Sequence, residues 1–259
     1  MPVELDYEEY DLGRLTWPTA EAAIPDADFL LLPTGSIEQH SHHLPVSVDT
    51  LRAESLTRIL AEKASERDMS ILRLPTLPYG YSEHHANFPG TITLDNETYQ
   101  SVLVEIGESL ARHGCQRFII ANYHGGNEQP IKLAADRIQR DHDLRTYPLN
   151  WTDYGREELT EEFGEEWGHA GEHETSVIEL FYPGFVDADA KVPQTRRGRF
   201  DVRQYTYFED ITAEGGIGDP TQSDPAFVEG VVERTTARIL DALEADIEEE
   251  TELGDVDPV

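Results

Sequence analysis

Three of the ten histidines in this 259-residue chain, His40, His42 and His43, fall within four positions between Glu38 and Asp49. Carboxylate oxygens and imidazole nitrogens without a thiolate suit Zn²⁺ or a similar divalent metal. The plainer reading is that these are solvated loop groups in a chain with 52 acidic residues. Clustering beside an apolar run favours the metal. Three further stretches carry chemistry: LPYGYSEHHANFPGT with His84 and His85, NYHGGN with His124, and GHAGEHETS with His169, His173 and Glu174. Each has a structural alternative, namely a polar loop, a tight turn that needs glycine, and an acid that stabilises a helix start.

The elements that must position these residues are readable from periodicity. Phe29 to Leu32 is expected to be a buried strand that empties at Pro33-Thr34-Gly35-Ser36. A helix follows Asp49, which can act as its cap, with Leu51, Leu56, Ile59 and Leu60 at helical spacing. Ser70 to Leu74 reads as a second strand. Asp95 opens a helix striped by Tyr99, Val102, Leu103, Ile106 and Leu110 and stopped at Gly114. Phe118 to Ala121 and Tyr147 to Trp151 read as strands around a helix from Glu128 to His142. A short helix near Trp17, one starting near Glu174 and one from Glu233 complete the set, with a solvated acidic tail from about 248.

This alternation predicts an α/β fold of three layers, a mostly parallel sheet flanked by helices on both faces. No repeat or linker divides residues 1–259, so one domain is expected. In such sheets the ligand crevice lies beyond the carboxyl ends of the strands, which is where Glu38 and His124 are placed.

The formal net charge is −32, and only Lys63, Lys132 and Lys191 are lysines. An acid-rich, lysine-poor surface stays hydrated in concentrated salt, so the reading is the cytoplasm of a halophile. The charge argues against nucleic acid and against anionic membrane. The start, MPVELDYEEYDLG, lacks the pattern of a signal peptide, no run reaches membrane length, and the single Cys115 excludes an internal disulfide.

Taken together the blocks resemble the creatininase family of metal-dependent amidohydrolases. GSIEQHSHHLPVSVD, Phe88-Pro89-Gly90-Thr91, NYHGGN, HAGEHETS and Ile217-Gly218-Asp219-Pro220 stand in family order. The resemblance implies two divalent metal ions, Zn²⁺ first and Mn²⁺ or Fe²⁺ otherwise. Glu38 and His124 would hold one, His40 and Glu174 the other, and Asp49 would bridge them. His169 matches the position that shuttles a proton. His43, His85, Tyr123 and Trp151 would contact substrate or support the ligands, as would Trp167, while His42, His84 and His173 are read as solvated. Some members use a carboxylate two residues after the third-motif histidine, where this chain has Gly126. Ser41 and Tyr123 stand where glycine is usual.

The implied activity is hydrolysis of a non-peptide carbon–nitrogen bond in a cyclic or small linear amide by a metal-bridging hydroxide. The family also offers an archaeal formylaminopyrimidine nucleotide deformylase, for which Arg196, Arg197 and Arg199 would be a phosphate cluster, a peptide-processing member, and a non-catalytic metal-binding relative. The partner is a small-molecule amide, and the resemblance implies a homo-oligomer, a hexamer in many members.

Overall fold

The computed structural model describes residues 8–195 and 206–254. The arginines of QTRRGRF and the last residues of the acidic tail lie outside them. After the short helix α1 (Trp17–Asp26), the chain forms β1 (Phe29–Thr34), α2 (Val48–Ser65), β2 (Ile71–Arg73), α3 (Asn96–Arg112), β3 (Arg117–Asn122), α4 (Glu128–His142) and β4 (Arg145–Asn150). Four helices follow: α5 (Trp151–Phe163), α6 (Glu172–Phe181), the single turn α7 (Phe208–Ile211) and α8 (Pro225–Gly254).

The four strands lie in the order β2-β1-β3-β4, and every pairing is parallel. Strand residues alternate between the two faces. Phe29 and Leu31 of β1, with Ile119 and Ala121 of β3, pack on α2, α5, α6 and α8. Leu30, Leu32, Phe118 and Ile120 pack on α1, α3 and α4. Both faces of the sheet are therefore dry, which is why β1 and β3 read as continuous apolar runs rather than alternating ones.

From β1 the chain crosses through α2 to β2 on one side, whereas from β3 it crosses through α4 to β4 on the other. The direction reverses between β1 and β3, so the loops after them splay apart and open a crevice. Among the described residues no helix is long and apolar enough to cross a membrane.

Several boundaries differ from the sequence expectation; β4, for one, runs Arg145–Asn150 and leaves Trp151 to α5. Asp49 does not cap α2: the helix starts at Val48, after Ser47, and no side chain caps it. The Asp49 carboxylate is turned toward two imidazoles instead. The C-terminal helix begins at Pro225 and runs on to Gly254, past the point where a solvated tail was expected. Glutamate is a good helix former, and extending an anchored helix avoids the unfavourable nucleation step.

Candidate metal centre

Four loops converge on the crevice. Glu38 and His40 leave the end of β1, Asp49 sits in the first turn of α2, His124 follows β3, and Glu174 stands in the first turn of α6. All five are buried. The ligand atoms of Glu38, Asp49 and His124 lie within 4.8 Å of one another, and so do those of His40, Asp49 and Glu174. Asp49 belongs to both groups. Its Oδ1 is 3.4 Å from His40 Nε2 and its Oδ2 is 3.2 Å from His124 Nδ1.

Hydrogen bonds to backbone fix which nitrogen of each imidazole faces the group. His40 Nδ1 donates to the Glu38 carbonyl at 3.1 Å, and His124 Nε2 donates to the Tyr81 carbonyl at 3.0 Å. The nitrogens left over, His40 Nε2 and His124 Nδ1, are the ones aimed at Asp49.

The donor set fits a pair of divalent cations on a second count. Both oxygens of Glu38, with Asp49 Oδ2 and His40 Nε2, are buried without a hydrogen-bond partner. A buried carboxylate with two orphaned oxygens is costly unless a cation meets it. Electrostatics agree. Burial acts to lower the histidines, but Asp49 and Glu174 raise His40 to about 10, and Glu38 with Asp49 lifts His124 well above its ordinary value. Burial pushes the Glu38 carboxyl up. For Asp49 burial is outweighed by His40 and His124, which hold it below the usual carboxylate range. The cluster attracts positive charge strongly.

Around it a cavity of about 280 Å³ is lined by Glu38, Asp49, His124 and Glu174 and by His84, His85, His169, Trp167, Phe208 and Ile217. His169 Nε2 donates to the Gln39 carbonyl at 2.7 Å, leaving Nδ1 with its lone pair 3.4 Å from Glu38 Oε1. Burial, with the charge of His40, pushes His169 down to about 3, so the ring is neutral. The Gln39 side chain, which the sequence reading passed over, donates to the Gly215 carbonyl at 2.6 Å and to His85 Nδ1 at 2.9 Å. His85 therefore carries its hydrogen on Nε2, 3.4 Å from Glu38 Oε1.

The other expected residues divide. Tyr123 is buried and lines the cavity. His43 does not line it; its Nε2 meets the Thr175 hydroxyl at 2.8 Å and ties the first loop to α6. Trp151 does not reach the cavity: it is 2% exposed and stacks on His173, because α5 begins at that residue and turns the ring into the core, which leaves it a supporting place rather than a substrate contact. His173 is a correction, buried beside Arg52 rather than solvated. His84 is a second, since it lines the cavity. His42 is exposed as expected.

Ser41 takes φ +57°, the left-handed conformation that favours glycine. At Gly126 an added Cβ would lie 2.2 Å from the Tyr81 carbonyl oxygen and 2.4 Å from His124 Nε2. A carboxylate cannot enter from this position, and the second group takes its acid from Glu174 across the crevice.

Arg52 is the residue that sequence reasoning missed. It is 2% exposed, sits three residues after Asp49 on α2 and reaches Glu174 Oε1 at 2.5 Å. Only its spacing from Asp49 hinted at this, and arginines are common on the helices of this chain.

Known proteins match along most of the chain. The family model for creatininase, creatinine amidohydrolase, covers residues 13–243. The creatinine amidohydrolase of Pseudomonas putida is 32% identical over 200 residues, 70% of this chain and 75% of that protein. The mycofactocin precursor peptide peptidase of Mycobacterium tuberculosis (strain CDC 1551 / Oshkosh) is 28% identical over 231 residues, 83% of this chain and 84% of that one. A solved mutant creatininase of the Zn-Zn type superimposes with a TM-score of 0.82 at 27% identity, covering 93% of this chain and 99% of that one.

Proposed function

The chain belongs to the creatininase family, a family of hydrolases acting on non-peptide carbon–nitrogen bonds, and on that premise we propose that it hydrolyses a small cyclic or linear amide at a dinuclear centre. The observation that carries this reading is the set of orphaned buried atoms, Glu38 Oε1 and Oε2, His40 Nε2 and Asp49 Oδ2. Glu38 and His124 would hold one ion, His40 and Glu174 the other, with one Asp49 oxygen toward each. Two such ions, when bound, supply Lewis-acid polarisation of the amide carbonyl and a water acidic enough to ionise near neutral pH.

The remaining chemistry belongs to the chain. His169, neutral and held at Nε2 by the Gln39 carbonyl, presents Nδ1 to take up a proton and pass it to the departing nitrogen. Gln39 holds the His169 ring through its backbone carbonyl and the His85 ring through its side chain. Trp167, Phe208 and Ile217 exclude water from one side of the substrate. A volume of about 280 Å³ suits a small amide better than an extended peptide.

The test is metal content per chain by elemental analysis, followed on the same sample by assays with creatinine, with a formylaminopyrimidine nucleotide and with a short peptide. Two metals per chain with turnover of either small amide is the expected result. Fewer than two metals, or turnover of the peptide alone, overturns the reading.

A further inference from the structure

Arg52 presents a difficulty that its contacts resolve. A buried guanidinium beside a centre for two cations repels them, and by charge alone it weakens metal binding. Yet both of its terminal nitrogens are committed around that centre. Nη1 donates to Glu174 Oε1 at 2.5 Å and to the Tyr123 carbonyl at 3.1 Å, and lies 3.6 Å from Asp49 Oδ1. Nη2 donates to His173 Nε2 at 3.1 Å. The geometry is that of a brace between α2, the end of β3 and α6.

Its effect on Glu174 is specific. Arg52 takes Oε1, and the Ala170 N–H donates to Oε2 at 2.7 Å, so the carboxylate cannot rotate. Oε2 then stands 3.5 Å from His40 Nε2. Ala170 itself holds φ +52°, a conformation that an alanine adopts only when its surroundings impose it.

We propose that Arg52 is the positioning residue of the second metal half-site: it occupies one oxygen of Glu174 and thereby makes that residue a one-oxygen ligand beside His40. The inference rests on the two-metal reading above. Outer partners of ligands commonly change metal affinity by about 10- to 100-fold when removed, and the direction of the change separates position from charge.

The experiment measures metal stoichiometry and the affinity of each ion by titration in the wild type, R52K, R52M, E174Q and the R52M/E174Q pair, with circular dichroism as the check on folding. The expected result is two ions in the wild type, and in R52M a second ion weakened about 10- to 100-fold while the first is unchanged. R52K, which keeps the charge but cannot span Glu174, the Tyr123 carbonyl and His173 together, shows the same weakening, and it carries the test if R52M does not fold. In the E174Q background R52M adds no further loss, because Arg52 acts through Glu174. An unchanged or tighter second ion in R52M or R52K overturns the inference, as does equal weakening of both ions. Fewer than two ions in the wild type overturns the two-metal reading itself and is distinguishable from either.

Discussion

His84 stacks on His124 with ring centroids 5.6 Å apart and planes 9° from parallel, and its Cε1 closes the space that a Cβ on Gly126 would need. Position 126 is thus walled by an imidazole on one side and by the Tyr81 backbone on the other. Gly126→Ala is expected to destabilise the protein by about 1–3 kcal/mol or more, since a backbone carbonyl has to move. Adding His84→Ala does not restore it, because the 2.2 Å approach is to the Tyr81 oxygen. Thermal unfolding of the single and double variants checks this, and full recovery in the double variant contradicts it.

Asp49 serves both halves of the centre, so Asp49→Asn is expected to lose both metals, whereas Glu174→Gln loses one. Metal removal also lowers thermal stability. A ligand held at a hundred times its Kd contributes about 2.7 kcal/mol, or roughly 5–10 °C in a protein of this size. Scans with and without a chelator, paired with elemental analysis, measure both effects.

His169→Ala is expected to keep two metals and to lose a factor of about 10² to 10⁴ in kcat, the usual range for a positioned proton carrier. Its neighbour Gln39 holds His169 through the backbone carbonyl, so Gln39→Ala leaves that bond in place and falls short of the His169 loss. Unchanged turnover in His169→Ala on an accepted substrate removes this residue from the mechanism.

Away from the centre, Glu54 on α2 gives a pH signature. Burial pushes its carboxyl up, but the Thr76 hydroxyl at 2.5 Å and Arg73 at 2.9 Å outweigh that and hold it below the ordinary value. The unfolded chain therefore binds this proton more readily. Glu54's contribution is complete above the unfolded carboxylate value, about 4.3, and is lost as pH falls through the lower folded value. The side chain is about a third exposed, so solvent screening limits Glu54→Gln to about 1 kcal/mol at pH 7. Urea unfolding at pH 7 and in acid should show that difference shrinking; a constant gap refutes it.

The fold was legible because it depends on local pattern, and the candidate ligands were named from motifs whose residues the structure brings together. Phe29 to Leu32 and Phe118 to Ala121 are dense enough in apolar residues to announce buried strands, and the helix stretch from Glu128 to His142 matches α4 at both ends. What stayed hidden depends on distance. Arg52 meets Glu174 across 122 positions, and no spacing rule links them. His173 sits in a run of polar residues that reads as solvated, yet α6 is buried at that end because Arg52 and Trp151 pack around the imidazole. Trp151 was given a place at the site by the resemblance alone; the helix beginning there turns its ring into the core.

The parallel pairing of Leu30 with Phe118 has a consequence for the order in which the molecule can be completed. During synthesis from the N-terminus, Glu38, His40 and Asp49 emerge first, but none faces an imidazole from β3 until residue 124 has been made and that strand has docked. The half-centre of Glu38, Asp49 and His124 is then whole, while the other waits for Glu174, fifty positions later in the chain. A chain cut short between the two holds the first group of candidate ligands and lacks Glu174 of the second. The second group therefore cannot be assembled until the chain has passed residue 174 and α6 has docked.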